Sequence, residues 1–229
     1  LVGAEPLHPY ERPPLSKAGA DAGDPKFIAA SEKYADSGIR LLTGLEARDF
    51  DTASRTVTIS DRTTLSYDKL LLATGAAARS FPGAPEGSAH IRSLRTHHDA
   101  AALRDVMKPG KHIAIIGGGF IGLELAATAR LLGAEVTVIE GLERVLKRGV
   151  PEEIAHLLTE RHRAEGVDIR CGVSIERLSE EGGKALIRLS AGEAIEADLA
   201  LVGIGARPNV EIAEKAGLTI ENGIAVDRY

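Results

Sequence analysis

Apolar and polar positions follow two different periods along this chain. Short apolar and alternating runs at residues 39–42 (IRLL), 45–50 (LEARDF) and 56–60 (TVTIS) predict strands of a small antiparallel sheet. Residues 1–3 predict the end of a buried strand. Two continuous apolar runs, LLLATG at 70–75 and LALV at 199–202, are each closed by glycine, the second in GIGARPN. Runs of that kind predict strands covered on both faces. Helical spacing predicts helices over 26–36, 96–107 and 151–164. In the last, Pro151 takes the first helical position and Ile154, Leu157 and Leu158 share a face. Pro109-Gly110 ends the second. Further short strands are predicted at 168–171, 174–178 and 185–189. Residues 5–23, rich in Pro and Gly, predict a loop with short helical turns, and 76–87 predict an interdomain linker.

The middle of the chain carries the most specific pattern. Strand (111–116), helix (120–132) and strand (135–139) follow one another in IAIIGGGFIGLELAATARLLGAEVTVIE. Gly117, Gly119 and Gly122 form GxGxxG between the first strand and the helix. The first glycine permits the tight turn, the second admits a pyrophosphate to the backbone, and the third lets helix and strand pack closely. Free N–H groups at the helix start then face the phosphates. Glu140 closes the second strand, near the interval of about 20 residues at which an acid accepts hydrogen bonds from the adenosine ribose. A carboxylate there repels a 2′-phosphate, so NADH is expected over NADPH. Arg148 stands against this, being a nearby side chain of the type that receives that phosphate.

Composition narrows the classes. With 44% hydrophobic and 27% charged residues the chain has the make-up of a globular protein. A formal charge of −5 argues against a general nucleic-acid binder. No apolar run reaches the roughly 20 residues of a membrane span, and a cytoplasmic protein is the simplest reading. The single cysteine, Cys171, provides neither a CxxC redox pair nor a cysteine zinc cluster. No metal site is expected; His97-His98 sit at a predicted helix start without ligand partners. A strand followed by an acid occurs twice, at LVGAE and TVIE, and an apolar strand followed by Gly occurs twice, at LLLATG and LVGIG. Two similar nucleotide-binding domains would leave such an echo.

The segments PYERPPLSK (9–17), YDKLLLATGA (67–76), SLRTHHDAAALR (93–104), IIGGGFIGLELAATA (115–129), VGIGARPN (202–209) and NGIAVD (222–227) occur in one order. In these the chain resembles the FAD-dependent, NADH-linked ferredoxin reductases that serve aromatic-ring dioxygenases and bacterial P450 systems. The resemblance covers nearly the whole chain, and PYERPPLSK is its most specific part. It implies an α/β fold with two Rossmann-like three-layer dinucleotide-binding domains, the NAD domain inserted into a truncated FAD domain. The implied boundaries are 1–77 for part of the FAD domain, 78–208 for the NAD domain and 209–229 for the return into the FAD domain. It implies also a fragment of a longer reductase, with the FAD domain's own GxGxxG upstream and a Gly-Asp segment and C-terminal domain downstream.

The implied activity passes hydride from NADH to FAD and then single electrons to a small iron–sulfur protein, a ferredoxin or rubredoxin. The resemblance assigns Glu5 to the adenosine ribose of FAD, Arg12 and Lys17 to the flavin and its pyrophosphate, and Ala47 to the adenine. It assigns Arg95 to FAD phosphate or ribityl oxygens, and Glu124 to the nicotinamide end near Lys17. Gly203 and Gly205 would approach the nicotinamide. Thr74, Gly75 and Ile121 join the cofactor-binding set, and Lys17 and Glu124 are the catalytic candidates. Read without the resemblance, Arg12 and Lys17 are surface cations on a Pro-rich loop, Arg95 a surface ion-pair residue, and Thr74-Gly75 a strand end. Three other readings share the plan. A glutathione-reductase-type disulfide reductase needs the absent cysteine pair. The flavoprotein portion of a nitrite reductase changes only the electron acceptor. An NADH-sensing protein similar to apoptosis-inducing factor would use reduction to change partner binding.

Overall fold

A computed structural model describes residues 1–17 and 25–228. Residues 18–23 of the predicted loop lie outside them. The fold is mixed α/β with a parallel sheet. The chain divides into two compact units, one of Leu1–Glu11, Lys26–Ala77 and Arg207–Tyr229, the other of Arg12–Pro25 and Ala78–Ala206. Residues 12–17 thus group with the second unit, whereas Leu1–Glu11 and Lys26–Ala77 belong to the first.

The second unit is built on five parallel strands in the order Val167–Cys171, Glu135–Glu140, His112–Ile116, Leu199–Val202, Ile91–Arg92. Alternation within the central strand explains its continuous apolar sequence. Ile113 and Ile115 pack with Leu123 and Ala126 of the helix Phe120–Leu131, and with Leu103 of the helix His97–Arg104. Ala114 and Ile116 pack on the opposite face with Leu178, Ile187 and Leu189. Those residues belong to an antiparallel sheet of Ile175–Glu181, Lys184–Leu189 and Ala194–Ala197. Both faces of the parallel sheet are covered, as its apolar runs require. Strand order reverses between His112–Ile116 and Leu199–Val202, the kind of switch point at which open α/β sheets take ligands beyond the strands' carboxyl ends.

The helix predicted at 96–107 is His97–Arg104, because Thr96 and Asp99 form a reciprocal capping box and the chain turns before Met107, which is buried. Pro151 lies one position earlier than expected, as the N-cap of Glu152–Ala164.

The first unit is smaller. Ala47–Asp51, Thr56–Ile59 and Thr64–Ser66 form an antiparallel sheet around Phe50, Val57 and Ile59. The run at 39–42 does not join it; Leu42–Thr43 pairs in parallel with Val2–Gly3 instead, and that short strand is half-buried rather than buried. The helix expected at 26–36 is confined to Ser31–Asp36, since Tyr10 and Phe27 bridge and draw the preceding residues into extended form. Residues 70–75 form no strand, against the expectation of a buried one. Leu71 is 87% exposed, and Leu72 alone of the run packs on the Phe50 cluster. An apolar run becomes a covered strand only where partners and layers meet it on both sides, and among the described residues none does so here.

Candidate functional site

The glycine motif lies at the switch point of the second unit, and its three glycines are there for three different reasons. Gly117 has φ +108°, and a Cβ on it would stand 2.5 Å from the Gly203 carbonyl oxygen. A Cβ on Gly122 would stand 2.1 Å from the Gly117 carbonyl oxygen, so helix and turn could not close. Around Gly119 there is open space, with nothing within 4 Å. Gly119 is also the N-cap of Phe120–Leu131 and has no side-chain cap, which leaves the helix's first N–H groups for a bound anion. Gly203, which follows the neighbouring strand, donates its N–H to the Ile116 carbonyl (2.7 Å) and so ties the two strand ends together. Gly205 has φ +109°, and its carbonyl accepts from Arg79 N (3.0 Å).

Glu140 is half-buried at the end of its strand, and both its oxygens are engaged. Oε2 accepts from Gly118 N (2.7 Å) and Oε1 from Leu142 N (2.8 Å). The acid therefore fastens the glycine turn to the loop after its own strand. Each carboxylate oxygen keeps a further lone pair for a hydroxyl. Arg148 is exposed on that loop and is not among the described partners of Glu140. Cys171 pairs with Glu140 across the ladder; burial pushes its thiol up, and the Glu140 charge adds to the effect, so it stays protonated at neutral pH.

A second cluster forms on the helix Phe120–Leu131. A 3-10 turn, Pro13–Ser16, is preset by its two prolines and brings Lys17 to Glu124, Nζ to Oε2 3.0 Å. Lys17 Nζ also donates to the Pro13 carbonyl (2.9 Å), and the Ser16 hydroxyl donates to Glu124. Burial pushes the Glu124 carboxyl up, but the hydrogen bonds from Ser16 and Lys17 and the Lys17 charge outweigh it, so its pKa lies below the usual glutamate value. Thr128 donates to the Ser16 carbonyl (2.7 Å). Beside them Arg12 Nη1 donates to the Arg95 carbonyl (2.5 Å). Arg95 is held in turn by Asp99, which accepts from Arg95 N (3.0 Å) and Thr96 N (2.8 Å). Arg12, Lys17, Arg95 and Glu124, far apart in sequence, thus share one unit. Ile121 is exposed in the first turn of the same helix.

The remaining candidates lie in the first unit. Glu5 follows the strand Val2–Gly3 and accepts a hydrogen bond from the Tyr10 hydroxyl. Ala47 opens the antiparallel sheet, beside a register shift between it and Asp49. Thr74 and Gly75 are tied to Asn209. The Thr74 hydroxyl donates to the Asn209 carbonyl (2.6 Å), Asn209 Nδ2 to the Thr74 carbonyl (2.9 Å), and Asn209 N to the Gly75 carbonyl (3.0 Å).

Four residues here were given no role from sequence: Tyr10, Ser16, Thr128 and Asn209. Thr128 had a signal, since it lies one helical turn after Glu124 and so on the same face. Tyr10, Ser16 and Asn209 stand inside the quoted motifs but act through backbone atoms, a single hydroxyl or a side-chain amide, which leaves no spacing to read.

A family model described as pyridine nucleotide-disulphide oxidoreductase matches residues 1–229. The ferredoxin–NAD(+) reductase component of the p-cumate 2,3-dioxygenase system of Pseudomonas putida is 40% identical, over 100% of this chain and 57% of its own length. Rhodocoxin reductase of Rhodococcus erythropolis is 36% identical, over 100% of this chain and 55% of its own. Among solved structures, the ferredoxin reductase for the CYP199A2 system of Rhodopseudomonas palustris superposes with a TM-score of 0.93 at 38% identity, over 100% of this chain and 57% of that one. The covalent putidaredoxin reductase–putidaredoxin complex gives 0.89 at 35% identity, over 97% of this chain and 56% of that one. The chain thus spans just over half the length of these relatives. Among the described residues, no helix is long and apolar enough to cross a membrane.

Proposed function

We propose a function that starts from family membership: the chain belongs to the pyridine nucleotide-disulphide oxidoreductase family. The protein that carries it transfers hydride from NADH to FAD and passes single electrons to a small iron–sulfur protein, a ferredoxin or rubredoxin. Residues 78–208 are its NAD domain, inserted into an FAD domain represented by 1–77 and 209–229, both Rossmann-like. The observation that carries this reading is the glycine turn closed by Glu140, on the same helix that holds the Lys17–Glu124 pair.

The chemistry at each residue follows from its surroundings. The open backbone at Gly119 and the N–H groups beyond it bind a pyrophosphate. Glu140, still fastened to Gly118 and Leu142, accepts from the ribose hydroxyls and disfavours a 2′-phosphate. Arg148 then serves no 2′-phosphate. The bare backbones of Gly203 and Gly205 let a flat ring approach where side chains would clash. Glu5, Ala47, Thr74 and Gly75 line the adenosine and ribityl side of the flavin nucleotide, with Tyr10 orienting Glu5. FAD, when bound, supplies the conversion of a two-electron donor into one-electron steps. Lys17, Arg12 and Arg95 supply cationic groups suited to the negative charge that accumulates on hydride arrival. Glu124, kept ionised by Ser16 and Lys17, fixes the Lys17 ammonium in place. The ferredoxin-reductase names of the relatives support an iron–sulfur acceptor.

The test is calorimetric titration of NADH and NADPH separately, followed by visible absorption of the full-length protein that carries this chain, with FAD supplied, before and after anaerobic NADH. NADH is expected to bind more tightly, and the flavin band to bleach. Tighter NADPH binding would overturn the role of Glu140, and a flavin band indifferent to NADH would overturn the relay.

A further inference from the structure

Thr128 is one of few buried polar residues in the described core, 4% exposed, and Ser16 is another at 5%. A threonine inside a helix ordinarily returns its hydroxyl to the carbonyl four residues back. Thr159 does so here, donating to Ala155 (2.8 Å). Thr128 instead reaches out of its helix to the Ser16 carbonyl (2.7 Å). That carbonyl belongs to the peptide bond whose nitrogen is Lys17's. The contacts then close on themselves. Lys17 Nζ meets Glu124 at 3.0 Å, the Ser16 hydroxyl meets Glu124, and Glu124 stands one helical turn before Thr128. Lys17 and Glu124 are half exposed, so their attraction alone is weak and leaves a long side chain free to wander. The buried bond from Thr128 holds the backbone from which that side chain starts.

We infer that Thr128 is a positioning residue for the Lys17–Glu124 pair, acting through the Ser16 carbonyl. Its importance for hydride transfer rests on the function proposed above; its action on Lys17 does not. Without the Thr128 hydroxyl, the 13–17 turn loosens on the helix and Lys17 spends more time away from Glu124. A Lys17 released from Glu124 and from the Pro13 carbonyl presents its nitrogen to an acylating reagent without those two partners beside it.

The experiment is limited acylation of the intact protein with acetic anhydride, read by mass spectrometry at Lys17 and at the exposed Lys33 and Lys184 as internal standards. Thr128→Val is expected to speed acylation of Lys17 by about three- to tenfold, the range one net hydrogen bond represents. Lys33 and Lys184 stay unchanged, and Thr128→Ser restores the wild-type rate. Should the valine variant not fold, Thr128→Ala is read in the same way. An unchanged Lys17 rate overturns the inference. A rise at all three lysines together also overturns it, since that outcome reports general loosening. NADH affinity is expected to stay within about twofold in Thr128→Val, because the glycine turn and Glu140 are untouched. Loss of NADH binding by the wild type would instead count against the proposed function and leave the Lys17 result standing.

Discussion

Two apolar runs ending in glycine, 70–75 and 199–202, have nearly the same composition and opposite fates. Leu199–Val202 lies between two parallel neighbours, with Leu199, Ala200 and Leu201 fully buried. Among the described residues, 70–75 pair with no strand, and Leu71 stands 87% exposed. The difference lies in their surroundings. The first run has helices over one face and an antiparallel sheet over the other, and Asp198 just ahead of it accepts from His112 N (2.9 Å) and Lys111 Nζ (2.9 Å). The second has the Phe50 cluster against Leu72 and a tether from Asn209 at its end. An apolar run is thus a capacity for burial, realised only by neighbours on each side.

Substitutions can break the comparison. Leu201→Ala removes side-chain atoms from a site sealed on all sides, and unfolding in urea should show a loss of about 2–5 kcal/mol. Gly122→Ala forces a Cβ against the Gly117 carbonyl and should cost about 1–3 kcal/mol in the same assay, through backbone shifts beneath the covered sheet. Asp198→Asn sharpens the contrast at the entrance to the buried run, with an expected loss of about 1–2 kcal/mol near neutral pH. The His112 N–H holds the Asp198 carboxyl below the usual aspartate value; burial opposes this, and Lys111 adds to the lowering. A depressed folded pKa means the stabilisation is present above the ordinary aspartate range. It fades as pH falls through the lower folded value. Melting curves of wild type and Asp198→Asn should therefore converge on acidification below about pH 4. Divergence would mean that Asp198 does not act as a carboxylate. The smallest effect belongs to Leu71→Ala, expected within about 0.5 kcal/mol of wild type. A large loss there would mean that the run is covered after all.

The same contrast explains what could be read in advance. The unit from the strand at 112–116 to Glu140 was legible because several signals agree: two apolar strands, an apolar helix, three glycines and a terminal acid. Residues 70–75 misled because composition alone cannot report whether a neighbour is present. Leu42–Thr43, Thr64–Ser66 and Ile91–Arg92 were missed or misassigned because they are too short for a period to show. In the candidate site, the charged residues Arg12, Lys17, Arg95 and Glu124 were singled out through motif resemblance. Their anchoring was not. The Thr128 bond ends on a backbone carbonyl, which every residue possesses, and so leaves no mark in the sequence.

Glu140 carries a consequence for how such a protein changes over generations. A side chain that clasps two backbone amides cannot be exchanged for its outward-facing chemistry alone. Under the proposed function, a replacement at Glu140 that removes its carboxylate to relax discrimination between nucleotides also unfastens the turn between Gly117 and Gly119. A lineage drifting toward a different dinucleotide would therefore have to pass through a loosened intermediate or acquire a second acceptor first. On the function proposed above, preference and scaffold are inherited here as one trait.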